Sequence, residues 1–259
     1  MILGLQMYGP LAKQAMDEKQ LFNKIKDIGF DRIEPCICFD EKNDKPSFWS
    51  VEHFEEVYPV IKELGLDIIS CHVRAEDFKK ALPKMCELAE KFKIKHFVVG
   101  LGEANEIAIQ ERAFIFRAMA DELEKYGARI LLHNGKTNTS VMINNRTAYE
   151  YMVDICLGKV GMQFDIGWAM AGGTDPFEIV KRNENRIESL HFKDFKAPGV
   201  SDVDCVIGEG KADNELFMQF GRAKGIPLFV DQDAYEDVVA DACKSYTFLQ
   251  DADIILTMN

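Results

Sequence analysis

A single (β/α)8 barrel is the fold this sequence predicts, on three observations. Short β-branched or apolar runs begin at Ile2, Arg32, Asp67, His96, Arg129, Gly161, Ile187 and Pro227. Amphipathic stretches of helical spacing separate them in strict alternation, with no linker rich in Pro, Gly or Ser. The turn after the first run reads Tyr8-Gly9-Pro10-Leu11, which is not the Gly-rich turn that an open doubly wound sheet usually carries. Alternation implies a parallel sheet with right-handed crossovers, and eight such units in 259 residues fit one closed barrel domain over residues 1–259.

The elements follow in order. After the strand opening at Ile2, Asp17 before Glu18 starts a helix whose apolar face is Leu21, Ile25 and Ile28 and whose stop is Gly29. Strand two runs from Arg32 to Glu34. Ser50 then starts a helix with Phe54, Val57, Val60, Ile61 and Leu64 on one face before Gly65. Strand three ends Asp67-Ile-Ile-Ser-Cys-His72, strand four opens at His96, and Gly127 stops the helix ahead of strand five, Arg129 to His133. Strand six is Gly161 to Asp165. Asp175-Pro176 begins the next helix, with Pro in its first turn, and strand seven runs from Ile187 to His191. Gly225 closes the last predicted helix before strand eight, Pro227 to Asp231. About eight helices are expected.

Hydrophobic residues make up 47% of the chain and charged residues 29%, enough to bury a full core. Lys plus Arg total 31 against 43 Asp plus Glu, a formal charge of −12 that repels phosphate backbones and anionic lipid; no nucleic-acid or membrane partner is expected. The start, Met1-Ile-Leu-Gly-Leu-Gln, has no basic segment and reads as a strand rather than a secretion signal. Seven cysteines at 36, 38, 71, 86, 156, 205 and 243 form no Cys-x-x-Cys pair, so reduced structural thiols and a cytoplasmic location are expected. Homo-oligomerisation is left open.

In a barrel of this kind, reactive groups lie at the carboxyl ends of strands. Three of the five histidines, His72, His133 and His191, end predicted strands, whereas His53 on a polar helix face and His96 at a strand start read as structural. Glu34, Asp165 and Asp231 also follow apolar residues at strand ends, where a carboxylate is costly unless paired or metal-bound. Strands five to eight thus deliver His133, Asp165, His191 and Asp231 to one rim, a reasonable shell for one divalent ion such as Mn²⁺, Co²⁺, Zn²⁺, Fe²⁺ or Mg²⁺. Lone strand-end residues of these types more often cap helices or satisfy loops; four on consecutive strands favour a metal site.

Five segments carry a resemblance: Phe164-Asp165-Ile166-Gly167-Trp168, Gly172-Gly173-Thr174-Asp175-Pro176, Arg186 to Asp194 with its His191-Phe192-Lys193-Asp194, Ile207-Gly208-Glu209-Gly210-Lys211-Ala212-Asp213, and Phe229 to Asp233. In this order they resemble the xylose-isomerase-like TIM-barrel family, the sugar phosphate isomerase/epimerase group, closely over Gly161 to Asp233 and loosely elsewhere. The family's divalent ion is held by Glu, Asp, His and Glu on strands five to eight. Asp165 and His191 match; Asp231 is one methylene shorter than the family's Glu, and His133-Asn134 stands where the strand-five Glu would be. His133-Asn134 and Trp168 are similar to a branch acting on modified glycosides, although the His and Glu that follow there are missing.

The resemblance implies a metal-dependent isomerase or epimerase of a sugar, sugar phosphate or keto-glycoside, working through an enediolate and the proton beside a carbonyl. His133, Asp231 and Lys193 would carry catalysis, with a salt bridge the alternative role for Lys193. Glu34, His72, Trp168 and Glu209 would contact substrate, and Trp49, Phe39 and Phe195 would form an apolar lid. Two other readings stay open: a barrel that has lost catalysis and binds a carbohydrate or a partner protein, and, remotely, an endonuclease-IV-type DNA repair enzyme. The last requires more His and Glu ligands than the chain supplies.

Overall fold

The computed structural model describes residues 2–13, 15–199 and 203–258. Eight strand positions curl into one parallel sheet: β1 (Leu3–Gln6), β2 (Arg32–Glu34 and Cys36–Cys38), β3 (Ser70–Arg74), β4 (His96–Gly100), β5 (Arg129–His133), β6 (Gly161–Asp165), β7 (Ile187–Phe192) and β8 (Leu228–Val230). Each pairs with its sequence neighbours and β8 returns to β1, so the chain forms the expected barrel. The ring of ladder bonds is not complete, however. Pro35 has no N–H and splits β2: its first half pairs with β1, its second half with β3 and with a short strand at Trp49–Ser50. Across that seam the Arg32–Asp67 bridge and the bond from the His72 N–H to the Pro35 carbonyl are the backbone links among the described residues.

Around the sheet lie α1 (Glu18–Ile28), α2 (Val51–Glu63), α3 (Phe78–Phe92), α4 (Glu106–Leu123), α5 (Ala148–Ile155), α6 (Pro176–Asn183), α7 (Asn214–Lys224) and α8 (Val238–Met258). The predicted starts are real caps: Asp17 accepts the Gln20 N–H, Ser50 the His53 N–H and Asp175 the Phe177 N–H. The predicted glycine stops Gly29, Gly65, Gly127 and Gly225 all have positive φ. Three short helices were not foreseen: Tyr8–Lys13, Lys136–Ser140 and Ile166–Ala171 follow β1, β5 and β6 on the carboxyl rim. Strand three begins later than expected, so His72 sits at its middle rather than its end.

Strands β1 and β6 are buried at every position, as parallel strands covered by helices require. The core is one contiguous apolar cluster, and all seven cysteines are free thiols, five of them buried. No helix among the described residues is long and apolar enough to cross a membrane. Gly9, in the short helix after β1, abuts the backbone of Gln232 and Asp233 so closely that a Cβ would overlap the Gln232 carbonyl oxygen. Gly9→Ala should therefore destabilise the protein by about 1–3 kcal/mol, because the backbone it strikes cannot swing aside. Urea unfolding at matched m-value reads this; an unchanged midpoint would refute the contact.

Candidate active site

Period-2 alternation puts Gln163 and Asp165 of β6, and Ser189 and His191 of β7, on the barrel's inner face. Register sets His133 beside Gln163 and Asp165 beside His191. Asn134, immediately after β5, ties the two strand ends together: its Nδ2 donates to the Asp165 carbonyl at 2.9 Å and its Oδ1 accepts the Asp165 N–H at 2.8 Å.

The structure brings His133, Asp165, His191 and Asp231 together, one donor atom from each lying within 4.8 Å of the others. His133 Nε2 is 3.7 Å from Asp165 Oδ2 and 3.9 Å from Asp231 Oδ2. His133 Nε2 and Asp165 Oδ2 are both buried and have no hydrogen-bond partner among the described residues, a costly state for two polar atoms that face one another. The remaining Asp165 oxygen accepts the Trp168 N–H at 2.6 Å and so caps a rim helix. A divalent cation fits this donor set: it would satisfy both orphaned atoms with nitrogen and oxygen ligands of the right kind.

His191 has no exposed surface and is held at both ring nitrogens, Nδ1 to Asp231 Oδ2 at 2.9 Å and Nε2 to Glu34 Oε2 at 2.6 Å. Burial would lower its pKa, but the two carboxylates outweigh burial and push it up to about 10. His133 is the opposite case. Burial, with His191 and His72 adding to it, holds that imidazole well below its usual value and hence neutral. Burial likewise pushes the Asp165 carboxyl well up, whereas Lys193 and His191 overcome burial at Asp231 and hold it well below the carboxylate range.

Glu34 lies beneath the site instead of lining it, against the expectation of a substrate contact. It is fully buried, Oε1 accepting from Ser70 and from Gln163 Nε2 at 2.8 Å, Oε2 from His191 and from His72 at 3.1 Å. All its lone pairs are used within the protein. Glu209 is also displaced: it is exposed and pairs with Lys196 at 3.5 Å, away from the cavity above the histidines. Lys193 is fully buried, its Nζ donating to Asp204 at 3.2 Å, Asp231 at 3.2 Å and Asp233 at 2.8 Å. It takes the salt-bridge role and anchors Asp231.

A cavity of about 320 Å³ opens above His72 and His133. Trp168 forms one wall, backed by Phe195 at 5.1 Å between centroids and by Lys193 Nζ at 5.4 Å from its ring. Tyr8 and Phe48, edge to face at 5.9 Å, form another, and Gln6, Asp231 and Asp233 supply polar edges. The expected lid is absent, because its aromatics pack down: Trp49 lies buried against Phe22 with its Nε1 donating to Glu18, Phe195 is fully buried, and Phe39 packs on the core. Tyr8, Phe48, Gln163 and Asp233 are the residues that sequence reasoning missed. Tyr8 falls two residues past the end of β1 and Asp233 three past the end of β8, and Gln163 shares the inward parity of Asp165. Phe48, deep in a long loop, carries no comparable signal.

The charged His191 gives a pH signature in the metal-free protein. A pKa raised from 6.5 to about 10 contributes stability that is complete below 6.5 and is lost as pH rises to about 10. The urea midpoint should fall across that window, and Glu34→Gln should shrink the fall by removing one of the two paired carboxylates. A wild-type midpoint flat from pH 6.5 to 10 would contradict a charged His191.

Residues 22–230 match the xylose isomerase-like TIM barrel family. Among solved structures, a sugar phosphate isomerase/epimerase from Parabacteroides distasonis is 20% identical with a TM-score of 0.73, covering 96% of this chain and 93% of that one. The IolI protein, solved with a binding zinc atom, is 14% identical at a TM-score of 0.72, covering 97% and 98%. A 3-keto-D-glucoside 4-epimerase from E. coli is 16% identical at 0.68, covering 97% and 99%. No curated protein matches the sequence. With the barrel, its carboxyl-end site and a match over most of its length, this chain belongs to the xylose isomerase-like TIM barrel family.

Proposed function

We propose that this protein is a metal-dependent sugar isomerase or epimerase that moves the proton beside a substrate carbonyl through an enediolate. The observation that carries the reading is the pair of buried, unpartnered atoms, His133 Nε2 and Asp165 Oδ2, facing each other beside His191 and Asp231 under an aromatic cavity. The names of the solved relatives, sugar isomerases and epimerases and a zinc-bearing protein, point the same way.

His133, Asp165, His191 and Asp231 would hold one divalent ion, which supplies Lewis-acid stabilisation of negative charge on substrate oxygen. His191 would offer Nδ1 while its Nε2 keeps Glu34, a carboxylate behind a ligating imidazole that fixes ring orientation. Lys193 holds one oxygen of Asp231 and leaves the other turned to His191 and His133. Trp168 offers a ring face to the sugar. His72 and Asp233 on the cavity wall would hold its hydroxyls, Asp233 braced by Lys193. Asp231 would be the base that takes the proton beside the carbonyl, since His133 Nε2 would be committed to the ion.

Two measurements test this. Titrating Mn²⁺ calorimetrically should give about one ion per chain, weakened at least ~10-fold by His133→Ala and abolished in Asp165→Ala/His191→Ala. Uptake should release protons and weaken as pH falls, because His191, its pKa pushed up to about 10, must shed a proton to ligate. Equal affinity in wild type and His133→Ala would exclude His133 as a ligand. In deuterated water, the Mn²⁺-loaded protein should place deuterium beside the carbonyl of a ketose or keto-glycoside. Failure across free, phosphorylated and keto-glycoside sugars with several metals would leave a barrel that only binds.

A further inference from the structure

Backbone N–H groups of the loops after β7 and β8 are bonded to the protein's own carboxylates. In (β/α)8 enzymes, phosphate groups commonly sit on backbone N–H groups of the loops after strands seven and eight, or on helix N-termini at the carboxyl rim. Here four N–H groups among the described residues of the loop after β7 donate to Asp194. Its Oδ1 accepts from Phe195 and Ala212, and its Oδ2 from Gly208 and Gly210, all between 2.9 and 3.1 Å, with Asn214 Nδ2 adding a fifth bond at 3.3 Å. The loop after β8 gives its donors to Asp204, which accepts from the N–H of Asp233 at 2.6 Å and of Ala234 at 2.8 Å.

At each short rim helix one N–H is likewise bonded to a side-chain oxygen. Tyr8 N–H donates to Gln6 Oε1 at 2.6 Å, Gly135 N–H to Asn138 Oδ1 at 3.0 Å and Trp168 N–H to Asp165 Oδ1 at 2.6 Å. Side chains offer no substitute. Among the described residues no Lys or Arg lines the cavity, whereas Asp231 and Asp233 do. Lys193, just behind the wall, has three ammonium protons and three carboxylate partners, so none is left for a ligand. Arg74 lies behind Phe48, 5.7 Å from its ring, and donates to Asp44.

We infer that the substrate is an uncharged sugar or glycoside and not a sugar phosphate. The inference rests on the isomerase or epimerase reading and narrows it to one substrate class. A phosphate ester entering this cavity would face Asp231 and Asp233 with no Lys or Arg among the described residues to pair with it, a like-charge approach that costs binding. A neutral sugar meets what the wall provides, which is ring faces at Trp168, Tyr8 and Phe48 and acceptors for hydroxyl groups at Asp233 and Gln6.

The test pairs each neutral ketose with its phosphate ester in the deuterium-exchange assay, and separately titrates inorganic phosphate into the metal-free protein while tryptophan fluorescence is followed. Trp168 reports on the cavity, and Trp49 is buried away from it. The expected result is exchange into the neutral sugar at least ~10-fold faster than into its ester, with no saturable phosphate binding. An ester exchanging as fast as its parent, or saturable phosphate binding, would overturn the inference while leaving the isomerase reading intact. Absence of exchange with every sugar would instead remove the isomerase reading, and the phosphate titration would still decide whether the site accepts that anion.

Discussion

The site is built outward from one carboxylate that has no contact with water. Glu34 sits at the centre of the barrel with four donors around it, and a buried charge of that kind is tolerated only when it is fully paired. Its bond to His191 Nε2 fixes the ring, and the fixed ring presents Nδ1 to Asp231. Asp231 in turn shares Lys193 with Asp204 and Asp233, which tie in the loops after β7 and β8. A chain of alternating charge therefore runs from the middle of the barrel to its rim. Truncating one member leaves its buried neighbour short of one of its opposite-charge partners, which is destabilising.

Much of the architecture could be read from residue order, because a barrel writes its elements into the chain as a repeated sequence of apolar run, polar cap and glycine stop. Asp17, Ser50 and Asp175 were recognisable because an N-cap needs a short side-chain acceptor; Gly29 and Gly225 because a left-handed stop suits no bulkier residue well. The seam at Pro35 was less legible. A proline inside an apolar run reads as an interruption, but which half pairs with which neighbour depends on the whole ring. The short rim helices gave no periodicity, since five or six residues complete barely more than one turn.

At the site, strand-end position was informative and burial was not. His133, Asp165, His191 and Asp231 converge because consecutive parallel strands in register must present their ends to one rim. The same rule pointed to Glu34 without revealing its depth, and only the three-dimensional packing shows that Ser70, Gln163 and His191 enclose it. Aromatic residues on loops carried the least information. Trp49 and Phe48 are adjacent, and one packs inward against Phe22 while the other lines the cavity. Parity decides such cases in a strand, but a loop has no parity to read.

The shortness of β8 has a consequence for how the molecule comes into being. Three residues, Leu228–Val230, join β7 to β1, and the next residue is Asp231. Without this segment Lys193 would keep Asp204 as its one partner of the three, and His191 would keep Glu34 alone, a contact spanning 157 residues. Such distant contacts are slow to form, because the closure entropy of the intervening chain must be met first. The histidine–aspartate cluster is thus complete only once the strand that closes the barrel is in place.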